Sequence, residues 1–250
     1  MKPVFSLILS AFALASCSVL HGPTADPTLS LIYSDAVANT EQGIDRAEDA
    51  ATLEKEILRL CGHHEDGSTP DSCAIKTATT PAHNITESST RIFTSVDSIP
   101  QESMGIVATQ FVHLASLGAT IPELPANITL TDAETEAATA LLQRHHATIY
   151  GLGVALSYSD NEDTITSLIS THTKSASQLQ QLLSDDLVAE AGYSFTESAQ
   201  ITDAASAQNF ITTEEKLFLE EILFHASQAE TPSWRQYLLI EAARAATSAH

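Results

Sequence analysis

Apolar residues along this chain keep the spacing of a helix and almost nowhere the strict alternation of a strand. Leu29, Ile32, Ala36, Ala47, Ala51, Ile57, Leu58 and Cys61 hold that period across residues 27–62, so one helix is expected there. Asp26-Pro27 supplies its cap and first turn, and Gly62 stops it. Residues 63–86 are polar, Thr-rich and interrupted by proline, and read as a loop. A short helix carrying Ile92, Phe93 and Val96 is expected over 87–98. Another should run from Pro100 to about Leu117, with Ile106, Val107, Phe111, Leu114 and Leu117 on one side. The Pro-bounded stretch IPELPAN, residues 121–127, is the best internal boundary, separating an N-terminal helical region (27–125) from the C-terminal half.

Four longer helical segments fill residues 131–250. The first runs from Thr131, with Glu134 placed for a capping box, to about Ser157. The second covers about Asn161 to Ser184, the third about Asp203 to Ser227, and the fourth runs from Pro232 to the C-terminus. The first and second, and the third and fourth, are joined by short connections and should pair antiparallel. Residues 185–202 are long enough to return along the bundle. The predicted fold class is therefore all-α: a four-helix bundle with a long crossover between its second and third helices, preceded by additional helices. Tyr150, Tyr158, Phe218, Phe224, Trp234 and Tyr237 lie at helical spacing and are expected in the core.

The stretches RHHATIYGLGV (144–154) and ITDAASA (201–207) change this picture. They resemble an actinobacterial ferritin-like domain of unknown function carried by secreted or lipid-anchored proteins, over about residues 131–250. That family reads Glu-His-Ala and then Tyr-x-x-Gly in its first helix. His146, Ala147, Tyr150 and Gly153 match, while His145 stands at the glutamate position. The resemblance implies fold and envelope location, and no established reaction. The region upstream of residue 131, with its cysteine-bounded loop, is more loosely similar to the same lipoproteins.

A di-iron bundle needs a glutamate from each of two helices and Glu-x-x-His from each of the other two. No histidine here has Glu or Asp three positions before it: Leu142 precedes His145, Gln143 precedes His146, Ile169 precedes His172 and Ile222 precedes His225. The six-ligand set is absent as written. The helix midpoints nevertheless fall beside His145, His172, Glu215 and Glu241, which mid-height packing would bring into one layer. Two imidazoles and two carboxylates suit a single transition-metal ion. They equally suit a buried hydrogen-bonded network. A third arrangement has no layer at all, with one glutamate turned to solvent, since Glu214 and Glu215 are adjacent. Gly-rich phosphate loops and Gly-x-Ser-x-Gly elbows are missing, which points away from an enzyme.

The N-terminus gives an address. Lys2 precedes an apolar run, Val4 to Ala15, which is too short to span a bilayer. Leu14-Ala15-Ser16-Cys17 comes next and resembles a bacterial lipobox. Residues 1–16 are then a lipoprotein signal peptide, Cys17 the lipidated residue, and 17–26 a tether. Two acyl chains, with a third such as palmitate on the new amine, hold a protein firmly to a membrane. The expected location is the extracytoplasmic face of the cell membrane, with an envelope protein as partner. An ordinary cleaved secretory signal and a transmembrane helix are the rival readings of this segment.

With Cys17 acylated, Cys61 and Cys73 remain as an even pair, fitting a disulfide in an oxidising compartment. His63, His64, Glu65 and Asp66 between them keep a metal loop open as the alternative. The chain has 250 residues, 43% of them hydrophobic, enough for a sizeable core. Its 32 acidic against 11 basic residues give a net charge of −21, which excludes nucleic acid as a partner. Loss of residues 1–16 removes Lys2, leaving 10 basic against 32 acidic residues and a charge of −22.

Overall fold

The computed structural model describes residues 23–184, 187–194 and 200–248; residues 1–16, expected to be a signal peptide, and Cys17 lie outside them. The described residues are all-α. The helices are α1 (Pro27–Glu41), α2 (Ala47–Cys61), α3 (Ile85–Thr94), α4 (Met104–Ser116), α5 (Asp132–Leu156), α6 (Glu162–Leu182), α7 (Ala204–Gln228) and α8 (Pro232–Ser248).

Side chains set most of the starts. Asp26 accepts from Leu29 N ahead of α1, and Asn84 from Glu87 N ahead of α3. Full capping boxes open α5 (Thr131 with Glu134) and α7 (Asp203 with Ser206). Glu134 also accepts from Glu230 N and Thr231 N, both at 2.8 Å, so one carboxylate closes the start of α5 and the α7–α8 turn together. Burial works against the ionised form of Glu134. The backbone donors from Thr231, Thr131 and Glu230 outweigh it and hold its pKa below the usual carboxylate value.

The single helix expected over 27–62 is in fact two. Gly43 sits at φ +83°, a left-handed conformation open to glycine, and α1 ends there. Gly43 N bonds to Thr40 O and Ile44 N to Asn39 O, which turns the chain back so that α2 packs along α1. Likewise, α3 starts two residues earlier than the 87–98 expectation, at its Asn84 cap. The stretch after it, Val96–Ser98, is a 3-10 turn. Cys61 and Cys73 form a disulfide, with Cα atoms 5.9 Å apart. Ser72 Oγ donates to Pro23 O at 2.6 Å, fixing the start of the described chain against that loop.

In the C-terminal half, α5 packs on α6 and α7, and α8 packs on α6 and α7. Directions follow from the residues that meet. Leu152 and Ala155 late in α5 cluster with Ile165 and Leu168 early in α6 and with Ala207 and Phe210 early in α7. Helices α6 and α7 therefore begin at the same end and run parallel, each antiparallel to α5. The described part of their connection climbs along α5: Leu187 N bonds to Gln180 Oε1, and the Tyr193 ring lies 5.6 Å from that of Tyr150.

The N-terminal helices lie over one face of this arrangement, with α4 packed on both α7 and α8. One continuous core runs from Leu29 and Leu53 through Phe111 of α4 to Trp234, Leu238, Leu239, Ala242 and Ala243 of α8. Covered by α4 on one side and by α6 and α7 on the others, α8 is buried without a break over residues 237–243. This covering shifts the buried faces away from those expected. Phe218, Trp234 and Tyr237 are in the core, but Tyr150, Tyr158 and Phe224 are exposed, Phe224 at 61%. Leu117, expected on the apolar side of α4, is also exposed.

Candidate functional site

His145 of α5, His172 of α6, Glu215 of α7 and Glu241 of α8 are all buried at mid-height. Each stands among apolar positions on the inward stripe of its helix: Leu141 and Leu142 before His145, Leu168 before His172, Ile211 before Glu215, and Leu238 before Glu241. Arg144 settles which of the adjacent glutamates turns inward. Its guanidinium pairs with Glu214 at 2.7 Å, holding that side chain to α5 and leaving Glu215 to face the interior.

Three of the four residues form a chain. His145 Nδ1 lies 2.9 Å from His172 Nδ1, and His172 Nε2 lies 3.0 Å from Glu215 Oε1. The Glu215 carboxylate accepts from His172 Nε2, and in the contact between the two rings one Nδ1 donates and the other accepts, according to their tautomers. Phe218 stands edge-on to both rings, at 4.6 and 4.9 Å. Burial, with His172 and His146 nearby, drives the His145 imidazole down from 6.5 to about 2, so it is neutral.

Glu241 lines the same small void but has a different partner. Arg244 donates to it at 2.7 Å and to Gln178 Oε1 at 2.9 Å. The void these residues share holds about 10 Å³, near the lower limit for a single water. Both ring nitrogens of His172 are engaged, and a guanidinium lines the void, so the four side chains are not arranged as a ready set of metal donors. Among the described residues no group of three or more His, Cys, Asp or Glu is placed to hold a metal ion. Two polar atoms are buried nearby without a hydrogen bond, Thr148 Oγ1 and Tyr237 Oη. Burial raises the Tyr237 phenol above its ordinary value, and Glu241 adds to the shift.

Glu215 also faces a second, larger space. A cavity of about 600 Å³ opens between α6, α7 and the C-terminal parts of α4 and α8. Ile165, Leu168, Ile211 and Leu219 supply much of its wall, and Thr164 and Thr212 add hydroxyls. Its size lies within the range usual for small-molecule sites. Arg244, Gln178 and this cavity were not foreseen from the sequence. Arg244 follows Glu241 by three residues, the spacing of a helical ion pair, and that was the available signal. In the loop that Cys61 and Cys73 close, His63 and His64 are exposed.

No protein-family model matches the chain, and no curated protein or solved structure matches it.

Proposed function

We propose that this chain is a lipid-anchored, extracytoplasmic protein with a ferritin-like bundle that works as a binding module rather than as a catalyst. The observation that carries the binding role is the 600 Å³ cavity with a buried carboxylate, Glu215, on its floor. The ferritin-like reading is supported by α5–α8: two antiparallel pairs, with parallel α6 and α7 joined by a long connection. The anchor is supported by the Leu14-Ala15-Ser16-Cys17 motif and by the short span from Cys17 to Pro23. Among the described residues no helix is long and apolar enough to cross a membrane.

Titration with the neutral apolar fluorophore N-phenyl-1-naphthylamine tests the binding role. Saturable uptake at one site per chain is expected, and no saturable uptake overturns it.

A second reading has one observation in its favour: His145, His172, Glu215 and Glu241 border one void. In that reading the bundle binds a single transition-metal ion, as a storage protein or a metal-dependent oxidoreductase. Elemental analysis of protein purified without a His-tag decides it. Stoichiometric iron, manganese or zinc that is lost in the His145→Ala, His172→Ala double variant would favour the metal protein.

A further inference from the structure

We infer that the large cavity takes a monocationic amphiphile, a primary ammonium on a hydrocarbon body, with the ammonium seated on Glu215; this rests on the cavity being a ligand site. Glu215 is only 5% exposed, and its Oε1 accepts from His172. Its second oxygen has no hydrogen-bond partner among the described residues. From α6, His172 Nε2 at 3.0 Å pairs with Glu215 as a cation when that ring is protonated. From α5, His145 is neutral. From α8, Arg244 is matched by Glu241. On α7 itself, Lys216 is at the solvent-facing rim, 3.8 Å from Glu220, and Glu214 is paired with Arg144. From α4, Val112 and Ser116 bring no charge. The second oxygen of the Glu215 carboxylate is open to a charge-assisted hydrogen bond, and an ammonium supplies one. The walls bear on the rest of the ligand: Ile165, Leu168, Ile211 and Leu219 offer hydrocarbon contact, while Asn161, Thr164, Gln208 and Thr212 add polar groups beside it.

The test uses the unacylated chain with its disulfide intact, loaded with N-phenyl-1-naphthylamine at 0.15 M salt as a working condition of about that strength. Octylamine, octanol and octanoate compete for the site, with sodium and calcium as ionic controls. Octylamine should displace the fluorophore at roughly tenfold lower concentration than octanol, a difference of about 1.4 kcal/mol. Octanoate should be the weakest of the three. Glu215→Gln should keep fluorophore uptake and lose the preference for amine over alcohol, while Glu214→Gln should keep both. Equal displacement by amine and alcohol, or displacement by the inorganic cations, overturns the inference with the binding role intact. So does a preference that survives in Glu215→Gln. Failure of the fluorophore to bind removes the binding role and the inference together. The comparison of three competitors on the unaltered chain decides the matter even if Glu215→Gln does not fold.

Discussion

Replacing His145 by glutamine separates its titration from its packing. In the folded chain its pKa lies near 2, against 6.5 ordinarily. Between those values the unfolded chain binds a proton here that the folded chain does not, so stability rises with pH across that window. Lowering the pH from 6.5 to 5 should cost about 2 kcal/mol through this residue alone. His225 is also lowered by burial, with Glu221 opposing, and adds in the same direction. Denaturant unfolding at several pH values should show a shallower pH slope in His145→Gln than in the parent. An unchanged slope would mean that His145 is not held neutral. The placement of this residue was legible because short connections fix the register of the hairpin α5–α6, so mid-helix residues meet. The partner chosen by Glu241 was not legible, because counting histidines and carboxylates leaves out Arg244, the cation that binds it.

At the scale of the element, the disulfide joins the last residue of α2 to the 3-10 turn Asp71–Cys73. A closed loop of this size contributes on the order of 3 kcal/mol through the entropy of the unfolded chain. The Cys61→Ser, Cys73→Ser double variant should lose about that much, read as a lower denaturant midpoint. Peptide mapping that finds both thiols free in protein from the cell envelope would remove this account. Helix starts were well marked in the sequence, since Thr131 and Asp203 announce α5 and α7 through local side-chain bonds. The break at Gly43 was not, because the apolar period resumes on its far side at Ala47. The buried faces were legible only in part. Periodicity locates an apolar stripe, but which aromatics it encloses depends on where α4 lies, and that is a long-range contact.

For the whole molecule, the test of location is Cys17. Changing Cys17 to alanine should release the chain from the membrane fraction or leave the precursor uncut. Mass spectrometry of the native protein should find acyl groups on Cys17, and an unmodified thiol there would overturn the lipoprotein reading. Fixing Pro23 against the disulfide loop would then set that loop close to the lipid surface, since Cys17 and Pro23 are only six residues apart.

The enclosure of α8 has a consequence in time. In chain order, α8 comes after α4, α6 and α7, the helices it packs against. Until residues 232–248 emerge, the apolar sides that those three helices turn toward α8 have nothing to close on. The part of the core that α8 completes therefore closes only after residues 232–248 are made. A product that stops short of Pro232 would present bare apolar faces, the kind of surface that draws aggregation and quality control.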